Sequence, residues 1–150
     1  WPGTRHLKLL AEDVVPMGSP DFAAAHPVGG DPAALRALPL LHITSRPDAW
    51  ETWFTAQGVA PEGVTGMLFD QFATIAQAAM AGLGVALLPS FLVAKEIERG
   101  ELVPIIDRPM RSREEYHLVW PKERERFPPL VAFRQWLSAV IGRDGEDGGL

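Results

Sequence analysis

The chain predicts an α/β fold built on a parallel sheet, and three observations within residues 69–103 carry that expectation. Phe72, Ile75, Ala76, Ala79 and Met80 recur at steps of three and four, the spacing of one apolar helix face. Val85, Ala86, Leu87 and Leu88 then form an unbroken apolar run, which suits a strand covered on both faces. Pro89 and Ser90 open a further helix that Gly100 closes. Helix, strand and helix in immediate succession imply layers, with ligands expected where strand ends meet helix starts.

The remaining elements follow in order along the chain. Residues 13–17 read as a short strand that leads into a turn-rich stretch through Gly29 and Gly30. Asp31 and Pro32 then start a short helix ending near Leu38, and residues 40–44 form the next strand. Over residues 46–57 a helix places Trp50, Trp53 and Phe54 on one side, a spacing that suits core packing, and Gly58 stops it. Residues 64–69 return as a strand, after which Asp70 is placed as the N-cap of the next helix and Gly82 as its left-handed stop. Strands alternating with helices of this length imply right-handed crossovers.

Between Ile106 and Glu115 the charged segment DRPMRSREE has little periodicity and is expected to be a crossover between lobes. Residues 116–120 form a final strand, and Pro128 and Pro129 open a helix running to about Ile141. The charged, glycine-rich residues 142–150 are expected to be a mobile tail.

Composition excludes several function classes. A chain of 150 residues can bury a sizeable core. Its formal net charge of -5 argues against a nucleic-acid surface, because DNA affinity rests on Lys and Arg neutralising phosphates. With no cysteine, a thiolate zinc site, a disulfide and a cysteine nucleophile are all impossible, which suits a cytoplasmic protein. No apolar run approaches the length of a membrane span. The four histidines, His6, His26, His42 and His117, lack the spacing of a metal site. There is no nucleophile elbow or Walker loop, and the Gly82-Leu83-Gly84 stretch runs into a strand rather than a helix start. No catalytic residue, metal or cofactor is therefore expected, and an enzyme reading has no support.

The stretch Ala81 to Pro89, an A-G-x-G-V-A-x-L-P phrase between two helices, followed by Gly100-Glu101-Leu102-Val103, resembles the effector-binding domain of LysR-type transcriptional regulators. Three further pieces stand in the order that family requires. Glu12 to Pro20 is similar to the strand and turn entering its second subdomain, and His42 to Trp53 to the strand and Trp-x-x-Trp helix of the subgroup related to the glycine-cleavage activator. Tyr116 to Pro121, with Ala132 to Leu137, is similar to its last strand and last helix.

The resemblance implies a two-lobe, periplasmic-binding-protein-like (type 2) fold, here truncated at the N-terminal side of subdomain I. Residues 1–15 and 107–141 would be remnants of subdomain I, and residues 16–106 subdomain II. The abrupt start at Trp1 suggests a C-terminal fragment. The family's effector, a small molecule unidentified here, binds between the lobes; its domains pair as dimers; and DNA is bound only through an N-terminal helix-turn-helix absent from this chain. No membrane partner is implied. A periplasmic-type solute-binding protein of the same fold is the alternative.

Six residues are candidates for effector contact. Asp70, Gln71 and Phe72 start a helix at a position where family members often meet their effector. Thr44 and Ser45 end a strand and offer hydroxyls for a carboxylate or amide, although such residues also form turns before a proline such as Pro47. His42 alternates with Leu41 and Ile43 and is the sixth, although a lone histidine on a strand is more often simply packed.

Overall fold

A computed structural model of the chain describes residues 2–146. Six strands form one sheet: β1 (Thr4–Gly18), β2 (Leu40–Ile43), β3 (Gly66–Phe69), β4 (Val85–Pro89), β5 (Val103–Pro104) and β6 (Met110–Pro121). Five α-helices accompany them: α1 (Pro20–Ala25), α2 (Ala49–Ala56), α3 (Phe72–Met80), α4 (Ala94–Glu98) and α5 (Pro128–Glu146). Short 3-10 turns occupy Pro32–Ala37, Ser90–Val93 and Lys122–Arg124. The strands are ordered β3-β2-β4-β1-β5, with β6 also paired to β1. By its contacts the chain divides into two compact units, Asp13–Arg111 and a smaller one of Trp1–Glu12 with Ser112–Leu150.

In the larger unit, period-two alternation sends successive residues to opposite faces of the sheet, and each face has its own core. Val15, Met17, Leu41, Ile43, Ala86 and Leu88 pack with Ile75, Ala76 and Ala79 of α3. Val14, Leu40, Val85 and Leu87 pack with Trp50, Trp53 and Phe54 of α2. The two tryptophans are core, as their spacing implies, and both indoles find acceptors. Trp50 Nε1 donates to the Leu41 carbonyl at 2.8 Å, and Trp53 Nε1 to the Arg108 carbonyl at 3.1 Å. Every residue of β4 is buried, the double covering that its apolar run requires.

The two glycines of the Ala81–Pro89 phrase serve different ends. Gly82 follows the C-cap Ala81 of α3 with φ of 77°, the left-handed stop a side chain disfavours. Gly84 leaves room: a Cβ there would stand 2.3 Å from the Pro39 carbonyl oxygen, which accepts the Val85 N–H at 2.9 Å. The chain crosses itself there too closely for any side chain.

The sheet is mixed rather than parallel. Strand β2 is parallel to β3 and β4, as the helix crossovers demand, but β1 is antiparallel to β4 and β5. Strand direction there depends on the path of the turn-rich connection after β1, which no local propensity encodes. Strand β1 also starts at Thr4 rather than near Asp13. The charged segment expected as a crossover belongs from Met110 onward to β6. Its charges pair with β1 in place of apolar burial: Arg111 Nε and Nη2 reach the Asp13 carboxylate at 2.6 and 3.2 Å.

Helix α3 is capped by Gln71, not Asp70, and Gln71 makes no side-chain cap bond. Asp70 lies one residue before the cap. The expected second helix after Pro89 is a 3-10 turn followed by α4. Helix α5 continues past Ile141 to Glu146 where a mobile tail was expected; residues 147–150, and Trp1, lie outside the described residues.

Candidate functional site

Parallel strands β2 and β3 end side by side, with Ile43 opposite Phe69, and the chain leaves both at one edge of the larger unit's sheet. The Thr44 N–H extends the ladder one step by donating to the Phe69 carbonyl at 2.8 Å. After Thr44 the chain turns tightly, with the Arg46 N–H on the Ile43 carbonyl at 3.0 Å, and enters α2. After Phe69 it passes through Asp70 and Gln71 into α3. The edge thus combines two strand ends with the start of a nine-residue helix. Without a side-chain cap, the first N–H groups of α3 keep the partial positive charge of a helix N-terminus.

Five of the six candidate residues come together on this edge. Thr44, Ser45, Asp70 and Gln71 are exposed and Phe72 is half-buried. His42 does not join them. It stands opposite Leu68 within the ladder, and its Cδ2 lies 2.8 Å from where a Cβ on Gly66 would be. Burial pushes the His42 imidazole below its usual pKa, opposed by a hydrogen bond to the Thr65 backbone and by the charge of Glu51. Its Nε2 is buried with no hydrogen-bond partner among the described residues. These are the marks of a packed strand histidine.

Arg46 is the residue that sequence reasoning missed. Its guanidinium carbon lies 4.8 Å from the Phe72 ring centroid, a cation–π contact joining the turn after β2 to the first turn of α3. Between Ser45 and Pro47 it had looked like a mere helix start; only the parallel pairing of β2 and β3 brings it to Phe72. The edge therefore carries both signs of charge, an arginine on one strand end and an aspartate on the other, with two hydroxyls beside them. Such a set has the charge and hydrogen-bonding groups that could hold a small polar molecule.

Two concavities flank α3 in the same unit. One of about 260 Å³, lined by Phe72, Ala76, Met80, Leu88 and Leu92 among others, is mainly apolar. The other, of about 930 Å³, lies at the far end of α3 and is lined by Ser19, Asp21, His26, Glu96, Arg99 and Glu101 among others. It is the larger of the two and carries both acidic and basic side chains. Among the described residues no group of three or more histidine, aspartate or glutamate side chains is arranged to hold a metal ion. No helix among them is long and apolar enough to cross a membrane.

Comparison with known proteins agrees with this architecture. Residues 1–142 match the LysR substrate binding domain. The Escherichia coli K12 glycine cleavage system transcriptional activator is 34% identical over 147 residues, covering 97% of this chain and 48% of that protein. The HTH-type transcriptional regulator TrpI of Pseudomonas aeruginosa is 39% identical over 147 residues, covering 94% and 48%. The chain thus spans about half the length of these relatives. They are regulators, not periplasmic solute-binding proteins. Among solved structures, the effector domain of the regulator AmpR of Pseudomonas aeruginosa superimposes with a TM-score of 0.84 at 26% identity, covering 98% of this chain and 70% of that one. The α/β, periplasmic-binding-protein-like fold expected from the sequence is the fold of these effector domains, and the chain belongs to the LysR substrate-binding domain family.

Proposed function

We propose that this chain is the effector-sensing part of a LysR-type transcriptional regulator and that its effector meets the strand-end rim of Thr44, Ser45, Arg46, Asp70, Gln71 and Phe72. The observation that supports this most is the convergence of two parallel strand ends on the uncapped start of α3, with Arg46 over Phe72. Binding that favours one arrangement of the protein over another is sufficient to carry a signal, since a ligand shifts an equilibrium by its difference in affinity for the two states.

The charge of the rim names an effector class. Asp70 sets a full negative charge beside the α3 N-terminus and disfavours a simple dicarboxylate there. Arg46 and the N–H groups of α3 favour one carboxylate, while Asp70 favours an amine. A zwitterionic amino acid or similar metabolite satisfies both. DNA contact then falls to a part of the regulator outside these 150 residues, in keeping with the net charge of -5. Self-association as a dimer, a cytoplasmic location and the absence of catalysis belong to the same proposal. So does the assignment of the larger unit to subdomain II and the smaller to subdomain I, without effector contact by His42.

Calorimetric titration with a panel of amino acids tests the charge assignment. Asp70 is not the cap of α3, so Asp70→Asn should leave the melting temperature unchanged. It should weaken the binding of an amine-bearing effector by about tenfold, equivalent to about 1.4 kcal/mol. Equal affinity in both proteins would remove Asp70 from the site.

A further inference from the structure

The smaller unit holds a histidine pair that effector sensing does not use. His6 on β1 and His117 on β6 face each other with ring centroids 5.4 Å apart and planes inclined at 68°. They lie on the exposed side of the strand pair, where Lys8 meets Glu115 in the next row and Gly3 accepts from the Lys122 N–H at its end. These contacts run in opposite directions along the two strands, so the pairing is antiparallel and the histidines are cross-strand neighbours. A concavity of about 290 Å³ lies over them, lined by Thr4, His6, His117 and Val119.

We propose that His6 and His117 together bind one divalent transition-metal ion of the imidazole-preferring class, such as Cu²⁺, Ni²⁺ or Zn²⁺, with water completing its coordination. The spacing fits. A metal held at about 2.05 Å from a ring nitrogen stands roughly 3.2 Å from the ring centroid, so two imidazoles on a tetrahedral ion have centroids about 5.2 Å apart. The observed centroid separation of 5.4 Å is close to that value.

The surroundings of His117 match those of a ligating histidine. Its Nε2 lies 3.2 Å from Glu115 Oε2, and since a carboxylate only accepts, Nε2 is the donor there and Nδ1 is the nitrogen through which the ring would ligate a metal. A metal-bound histidine characteristically donates its second N–H to a carboxylate, which fixes the ring and raises its basicity. Glu115 is itself held by an ion pair with Lys8, which fixes its carboxylate beside His117 where it can orient that ring. Two imidazoles and no third protein ligand give a site of modest affinity, open to exchange, which selects by ligand type along the copper-favouring order of divalent ions.

Calorimetric titration of the chain with CuCl₂ and NiCl₂ at pH 7.5 tests this. One ion should bind per chain with micromolar affinity, tighter for copper. The affinity should fall at least tenfold in both His6→Ala and His117→Ala, and stay unchanged in His26→Ala. Glu115→Gln should weaken binding by about tenfold while both histidines remain, the effect of losing an orienting carboxylate. No saturable binding below about 100 µM, or equal affinity in His6→Ala, would overturn the proposal. Circular dichroism of each variant checks that the exposed substitutions leave the fold intact.

Discussion

Gly84→Ala should be among the most damaging single-methyl changes in this chain. The added Cβ would stand 2.3 Å from the Pro39 carbonyl oxygen and 3.1 Å from two further Pro39 atoms. An ordinary contact needs about 1 Å more, and the obstacle is backbone rather than a flexible side-chain end. Moving Pro39 away breaks its bond to the Val85 N–H, which lies inside a fully buried strand. An unpaired buried N–H costs about 1–3 kcal/mol, and the overpacking a similar amount, so the total is near 4 kcal/mol. At about 2–4 °C per kcal/mol for a chain of this size, the melting temperature should drop by about 10 °C. Gly100→Ala is the control: its φ of 70° is as unfavourable for a side chain as that of Gly82, but nothing lies within 4 Å of the new Cβ. That variant should lose only about 1 kcal/mol. Thermal unfolding by circular dichroism compares the two. A Gly84→Ala protein that melts no lower than Gly100→Ala would refute the steric account of the glycine phrase.

Trp50→Phe should cost about 1–3 kcal/mol in urea unfolding, because it removes a buried indole hydrogen bond to the Leu41 carbonyl and leaves a void beside α2, whereas an exposed change such as Met67→Ala should cost little. His42 binds fewer protons folded than unfolded, since its pKa is lowered from 6.5; its share of stability is complete above pH 6.5 and is lost as pH falls below that value. The drop in melting temperature between pH 7.5 and 5.5 should therefore shrink in His42→Gln, and an unchanged drop would count against the burial of that ring. Exposed Phe127, Phe133 and Trp136 on the smaller unit should drive self-association, so light scattering that finds only monomer at high concentration would contradict that expectation. A mobility shift at low salt should show no tight, sequence-specific DNA binding by these 150 residues.

The larger unit was legible because its signals are local. A 3.6-residue period, an unbroken apolar strand and a glycine stop each announce an element within ten residues, and β2, α2, α3 and β4 stand where they were expected. Strand β1 was seen only in part, although Leu7 and Leu9 alternate with the exposed His6 and Lys8 and carried the period-two signal. Residues 110–115 gave no such signal. Their strand is held by backbone pairing and surface ions, and burial is what hydrophobic patterning reports. The rim was half legible. Strand ends and a helix start can be placed along the chain, but Arg46 gains its meaning from Phe72, 26 residues away, through the pairing of β2 with β3. Asp70 misled because aspartate is a favoured cap, and here the chain reaches helical geometry one residue later.

The most direct measurement of the central claim is a thermal-shift screen of this chain against a panel of amino acids and their decarboxylated and deaminated analogues. At 100 times its dissociation constant, a ligand that binds only the folded chain adds about 2.7 kcal/mol, or about 5–11 °C in melting temperature. The account predicts such a shift for at least one zwitterion, a much smaller one for the analogues lacking either charge, and loss of the shift in Arg46→Ala. A panel that leaves the melting temperature unmoved, or a shift that survives in Arg46→Ala and Asp70→Asn alike, would contradict the assignment of effector sensing to the strand-end rim.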